Sequence, residues 1–168
     1  MLGVIAFSGC GGLVLKAAVL LPVFVQAKSA AIKTTSLYNI KRIASAVSVY
    51  TADNNDRFPL LDTWQDAVTP FVGAVPSGSA GSDPFEPPYR EKPGGYAFNA
   101  SLAGFSTVEI SLPSSTAMIF ECSRKGRNLL GGEEIIRRDE AYFVAGSSDA
   151  SARMIKFENL DEVVWSPQ

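Results

Sequence analysis

This sequence contains no histidine. That absence removes the commonest general base, the commonest neutral metal ligand and every Ser-His or Cys-His pair. Paired carboxylates do occur, at Glu133 and Glu134, followed by the charged run 137–140. Because no pocket signal accompanies them, we interpret this cluster as a solvated, mutually screened surface. The sequence favours a protein that is not an enzyme.

Oxygen-bearing side chains are concentrated at Asp53, Asn55 and Asp56. Carboxylate and amide oxygens are ligands that the hard cation Ca²⁺ accepts. The same residue types also end helices, because they hydrogen-bond locally and tolerate turn conformations, and the spacing of an EF-hand is missing. We therefore favour a helix-terminating turn and predict no cofactor, with Ca²⁺ at these three residues as the alternative.

Charge, glycine spacing and cysteine placement argue against three further kinds of site or bond. The formal net charge is -2, which offers no basic field for a phosphate backbone, so we predict no nucleic-acid partner. The run Gly9-Cys10-Gly11-Gly12 lacks the Lys-Ser/Thr ending of a phosphate-binding loop. Cys10 lies in an apolar segment and Cys122 near the end of a predicted strand, so we predict no disulfide between them.

The N-terminal segment is the most apolar part of the chain. Residues Met1 to Val25 carry one charge, Lys16, and about 20 apolar residues suffice to span a bilayer. We expect Lys16 to reach head groups by snorkelling. A secretory signal peptide fits poorly, since no basic region precedes the apolar stretch. The segment is also compatible with a lipoprotein signal ending at Cys10 or with a simple membrane anchor.

The apolar pattern continues past Val25 with the spacing of a helix. Steps of three and four residues define one helix face, and the spacing predicts a helix from about Leu13 to Thr51. Pro22 lies inside it and predicts a kink or a local break. The predicted contacts of this helix with the rest of the chain are Leu37, Ile40, Ile43, Val47 and Tyr50.

Beyond the helix the pattern predicts a small β-rich head. A short helix is expected over 64–72 with Asp62 as its cap, followed by a surface loop over 75–93 that is rich in Pro, Gly and Ser. The predicted strands are 95–99, 106–110, 117–122, 140–145 and 152–157. Together these elements predict an α+β fold in which a long N-terminal helix packs on a small antiparallel sheet. We divide the chain into a membrane and assembly segment, 1–27, and a head, 28–168.

Several motifs along this helix resemble one known family. The run 20–59 resembles the N-terminal helix of type IV pilin-like and type II secretion major-pseudopilin-like proteins. The matching residues are Leu21, Pro22, Val23, Phe24, Asn39, Ile40, Lys41, Tyr50, Asp53 to Asp56, Phe58 and Pro59. The stretches 83–96 and 110–121, the second ending in Glu121, also resemble the order of motifs that follows the helix in this family.

The resemblance implies a structural subunit of a pilus or secretion pseudopilus. Its partners would be copies of itself and related pilins, the membrane and the assembly platform, and the N-terminal residue would be methylated. It implies a single-pass inner-membrane protein with an extracytoplasmic head, at the cell surface or outside the cell when assembled. The residues that it assigns to the membrane and assembly helix are Met1, Ile5, Lys16, Leu20, Leu21, Pro22 and Phe24. The sequence departs from the family in three ways. No basic leader is seen, and Ile5 occupies the position of the family's helix glutamate. The run 146–150, which has no His, occupies the turn where the closest group carries an Asp-Gly-His signature.

A second hypothesis needs no filament. The chain would then be a membrane- or lipid-anchored extracytoplasmic binding domain. Its aromatic residues Phe85, Tyr89 and Tyr96 would contact a ligand or a surface.

Overall fold

A computed structural model describes residues 11–73, 83–89, 94–138 and 140–167, with the backbone alone for 11–22. The chain divides into two compact units, one ending at Thr34 and the other beginning at Thr35. In the first unit every described residue is helical. The boundary predicted from sequence, 27/28, falls within this same helix.

A single helix, α1, runs from Gly11 to Asp53. This confirms the predicted long N-terminal helix and extends it by two residues at each end. No glycine interrupts the sequence between Gly12 and the end of the helix. The helix therefore avoids there the additional loss of backbone entropy that a glycine would bring. The helix continues without a break through Pro22.

The end of α1 is a tight turn built from short polar side chains. Asn54 donates its side-chain N–H to the Tyr50 carbonyl at 2.8 Å, which satisfies a carbonyl at the helix end. Asn55 and Asp56 follow with φ of 56° and 55°, a left-handed conformation that Asn and Asp tolerate better than most residues. The predicted termination at 53–56 is therefore confirmed.

Five strands form one sheet: β1 Gly95–Asn99, β2 Ala117–Cys122, β3 Leu129–Gly131, β4 Tyr142–Ser147 and β5 Ala152–Lys156. Their order is β3-β1-β2-β4-β5. Neighbouring strands are antiparallel except for β1 and β3, which are parallel. The α+β class and the mostly antiparallel sheet agree with the prediction, whereas β3 and its parallel pairing were not predicted.

The central strand β2 and its neighbour β1 are buried along their whole length. Residues facing α1, including Tyr96 and Phe98, join Ile40, Ile43 and Val47 in one apolar cluster. Residues facing away, including Phe120 and Phe143, form a second cluster with residues of the C-terminal segment. The sheet is thus covered on both faces.

Several predicted elements differ from those observed. The predicted strand at 106–110 is wrong, because residues Thr107–Glu109 form a 3₁₀ turn. The predicted helix over 64–72 is α2, Trp64–Val68, flanked by 3₁₀ turns at Leu61–Thr63 and Thr69–Phe71. Asp62 does not cap it: Thr63 occupies the N-cap position, without a side-chain hydrogen bond. Of the predicted loop over 75–93, residues 83–89 are described and contain turns but no helix or strand.

Candidate functional site

The residues assigned to the assembly helix fall into three groups. Met1 and Ile5 lie outside the described residues. Lys16, Leu20, Leu21 and Pro22 lie in α1, where the structure describes the backbone alone. Phe24 is described and is 70% exposed, between Val23 at 57% and Val25 at 64%. Because consecutive helical residues project about 100° apart, this turn of α1 is apolar on several sides at once.

Within the part of the chain that the structure describes, no helix combines the length and the apolar character needed to cross a membrane.

The predicted contact face of α1 lies against the sheet. Ile40, Ile43 and Val47 are fully buried. Leu37 and Tyr50 are partly buried and pack on the same cluster, and Tyr50 meets Phe71 edge to face at 6.0 Å. The second part of α1 is therefore a core element of the head.

A buried polar cluster interrupts this apolar contact; we use the name for Ser36, Tyr96 and Glu121. Ser36, on α1, is the first buried residue of the helix among the side chains described. Its hydroxyl donates to Glu121 Oε1 at 2.5 Å and lies 3.0 Å from the Tyr96 hydroxyl. Since the single hydrogen of Ser36 is directed to Glu121, Tyr96 donates to Ser36. The cluster joins α1 to β1 and β2.

Both carboxylate oxygens of Glu121 have partners. The second oxygen, Oε2, accepts the Val144 N–H of β4 at 3.0 Å. Burial raises the pKa of Glu121, and this effect is opposed by the bonds from Ser36 and Val144 and by the positive charge of Arg137. Burial likewise raises the pKa of Tyr96 above its ordinary value. The cluster thus holds an acid that is more easily protonated than one in water.

The charged run at 137–140 is only partly the solvated surface that the sequence predicted. Arg138 pairs with Glu133 at 3.2 Å, and both side chains are about half exposed. Arg137 corrects the prediction, because it is buried. Its guanidinium carbon lies 3.6 Å from the centroid of the Tyr89 ring, a cation–π contact that a planar guanidinium makes well.

The aromatic residues that the second hypothesis assigned to ligand contact are wholly or partly buried. Tyr89 and Tyr96 are buried. Phe85 packs edge to face on Trp64, with ring centroids 5.8 Å apart, and joins the apolar cluster under α1. Phe85 and Tyr89 nevertheless line the cleft beside the 83–89 loop, whereas the ring of Tyr96 is not available to a surface partner.

A cleft of about 520 Å³ lies between the 83–89 loop and the turn at 125–127. Its rim carries Asp83 and Glu86 on one side and Lys125 and Arg127 on the other. Arg127 is engaged with Asp66 at 2.5 Å, and the Asp83 carboxylate accepts the Phe85 N–H at 2.9 Å. The charges at the rim balance and are partly used within the protein, so they do not define a ligand.

The candidate calcium ligands form the turn that ends α1. Asp56 also accepts the Thr107 N–H through its carbonyl at 2.7 Å, which ties this turn to the 104–107 segment. Among the described residues, no group of three or more acidic, cysteine or histidine side chains could hold a metal ion.

No family model, no curated protein and no solved structure matches this chain. The likeness to pilin-like helices therefore rests on the motifs of α1 and of the two stretches that follow it.

Glu121 belongs to a motif of the resemblance, but its contact with Ser36 was not predicted. A usable signal existed, because Ser36 and Asn39 are polar residues in phase with the apolar stripe of α1. Both are buried, and buried polar side chains require hydrogen-bond partners. The sequence therefore predicts that a polar group of the head faces α1, but it does not identify that group.

The polar cluster holds α1 to the sheet through hydrogen bonds and is closed to solvent. Ser36 and Tyr96 are each 1% exposed, so no substrate reaches the hydroxyl beside the Glu121 carboxylate. The chemistry available here is hydrogen bonding and proton uptake.

Proposed function

We propose that the chain is a non-enzymatic structural subunit that assembles with copies of itself and with related subunits through its N-terminal helix, as pilins and pseudopilins do. The observation that carries this proposal is the change of environment along α1. Its first described side chains, Val23 to Val25, are apolar and exposed. Its later apolar stripe, from Leu37 through Ile40, Ile43 and Val47 to Tyr50, packs in the head.

Burial of this exposed turn supplies a driving force for assembly. An aromatic side chain buries about 150–250 Å² in full, and Phe24 leaves 70% of its surface exposed. At about 25 cal/mol per Å², covering that surface contributes on the order of 3 kcal/mol per subunit. The valines on either side add to this contribution.

The proposal also gives the chain a location. The apolar run of residues 1–25 would hold the subunit in the inner membrane as a single pass, with the head outside the cytoplasm. Assembly would transfer the helix from lipid to the centre of a filament at the cell surface. The support for this route is the apolar composition of the run and its resemblance to the family's helix.

Two alanine substitutions on one helical turn test the assembly step. The full chain, purified in detergent, is transferred to detergent-free buffer, and regular fibres are counted by negative-stain electron microscopy and by pelleting. Phe24→Ala removes an exposed apolar group, whereas Gln26→Ala removes an exposed polar one and serves as the matched control. We expect fibres from the parent chain and from Gln26→Ala, and a several-fold lower yield from Phe24→Ala. Equal yields from the two variants, or amorphous aggregates alone, would contradict the proposal.

Mass spectrometry of the native N-terminus separates this function from its alternative. A methylated residue at Met1 supports pilin-type processing. A lipid on Cys10 would instead support a lipid-anchored binding domain. The observation in favour of that second function is the cleft beside the 83–89 loop.

A further inference from the structure

We propose that the polar cluster of Ser36, Tyr96 and Glu121 binds α1 to the sheet more tightly when Glu121 takes up a proton. This property belongs to the head and does not depend on whether the chain forms filaments. It rests on the hydrogen-bond geometry of the cluster, its burial and the composition of the whole chain.

The position of the cluster makes it a control point. Ser36 is the first buried residue of α1 among the side chains described, and it lies where the compact unit of the head begins. Glu121 meets Ser36 with one carboxylate oxygen and the Val144 N–H with the other. Any separation of this turn of α1 from the sheet must expose the carboxyl group to water.

The cluster can satisfy its hydrogen bonds in both protonation states. With Glu121 ionised, Tyr96 donates to Ser36 and Ser36 donates to Glu121. With a proton from solvent on Oε1, the order reverses: Glu121 donates to Ser36, and Ser36 donates to Tyr96, because each hydroxyl is both donor and acceptor. What distinguishes the two states is the cost of keeping a negative charge away from water.

The neighbouring groups do not remove that cost. From the segment before β4, Arg137 favours the ionised carboxylate, while Glu140 opposes it. From α1 the cluster receives only the uncharged Ser36 and Asn39, and the two tyrosines nearby, Tyr89 and Tyr96, stay neutral because burial raises their pKa. Burial is the largest influence on Glu121 and raises its pKa above the ordinary 4.5.

The sign of the effect follows from proton binding. Between the ordinary pKa of 4.5 and the raised pKa in the folded head, the folded chain binds more protons than the unfolded chain. Stability therefore decreases as the pH rises through this window and levels off above it. Lowering the pH from neutral should therefore raise the free energy of unfolding of the head until the pH has fallen below this window.

The composition of the chain makes this effect visible. With no histidine, no side chain has an ordinary pKa between about 5 and 8. Asp66, Glu134 and Asp149 have lowered pKa values, so the stability they contribute is lost only below that range. Among the carboxyl groups of the described residues, Glu121 is the one with a raised pKa, so the part of a stability slope between pH 5 and 8 that Glu121→Gln removes reports this residue.

The test is a urea titration of the full chain in a non-ionic detergent between pH 5 and 8, followed by the fluorescence of the buried Trp64. The parent chain is compared with Glu121→Gln, which can accept the Val144 N–H and donate to Ser36, and with Glu109→Gln, a control at an exposed carboxylate. We expect the unfolding equilibrium constant of the parent and the control to rise with pH by up to about tenfold per unit within the window. Glu121→Gln should abolish this rise. A flat parent curve, or a parallel curve for Glu121→Gln, would overturn the proposal.

A second measurement needs no variant that must fold. Infrared spectra of the parent chain with isotope-labelled glutamate report protonated carboxyl groups directly. A glutamate acid signal that titrates at higher pH in the folded chain than in the same chain unfolded in urea supports the proposal, since burial raises the pKa of Glu121 only in the folded head. Coincident titrations of the folded and unfolded chains would refute it.

Discussion

Replacement of Ser36 by alanine tests whether the polar cluster stabilises the contact between α1 and the sheet. The hydroxyl donates at 2.5 Å to the buried Glu121 carboxylate, and a hydrogen bond to a charged group contributes about 1.5–3 kcal/mol. Its loss also leaves the Tyr96 hydroxyl without its acceptor at 3.0 Å. Alanine returns about 0.5 kcal/mol of helix propensity. We therefore expect Ser36→Ala to lower the free energy of unfolding by about 2–3 kcal/mol.

Ser45 on the same helix provides the matched control. Its hydroxyl bonds the Lys41 carbonyl at 2.9 Å and is exposed to solvent. Ser45→Ala removes the same atom and gains the same helix propensity, so it should change stability by no more than about 0.5 kcal/mol. Urea unfolding of both full-length variants in detergent at pH 7, followed by fluorescence and circular dichroism, gives the comparison. A loss in Ser36→Ala no greater than that in Ser45→Ala would refute the reasoning.

A double-mutant cycle separates the bond from general packing. Ser36→Ala and Glu121→Ala remove the two partners of one hydrogen bond, so their effects should be coupled by about 1 kcal/mol or more. Strict additivity would mean that Ser36 stabilises the head through something other than Glu121.

Two further predictions concern close packing and alkaline pH. A methyl group added at Gly94 would overlap the Tyr89 ring and lie 3.2 Å from the Cys122 carbonyl, whereas one at Gly73 would meet nothing within 4 Å. Thermal unfolding should therefore show Gly94→Ala destabilised by about 1–3 kcal/mol and Gly73→Ala near neutral, and equal effects would contradict this packing. Burial also raises the pKa of Tyr89, Tyr96 and Cys122, so the stability that these three groups contribute should be full below about pH 9 and be lost as the pH rises past 9 and then 10. An unfolding midpoint that stays constant from pH 8 to 11 would contradict this prediction.

The elements predicted well from sequence are those specified by neighbouring residues. The length of α1 follows from an apolar spacing of three and four, and its end follows from short polar side chains that tolerate a left-handed backbone. The strands at 95–99 and 117–122 have the predicted bounds. For α1 and its end the deciding interactions lie within a few residues along the chain, whereas the two strands also depend on pairing with each other.

The misplaced elements depend on distant partners. The three-residue strand β3 pairs in parallel with β1. Because a long stretch of chain separates the two strands, no local pattern predicts β3. Residues 106–110 have the composition of a strand, yet this segment forms a 3₁₀ turn beside the end of α1. Arg137 lies in a run of charges that is typical of a surface, but the Tyr89 ring covers it.

By itself the sequence determined the long helix, the α+β class and the absence of histidine chemistry, because backbone geometry and composition set these locally. Only the tertiary structure decided that Ser36 meets Glu121, a residue 85 positions away. The packing of α1 on the middle of the sheet excludes water from this pair. That exclusion turns an ordinary glutamate into an acid whose proton controls how firmly the helix is held.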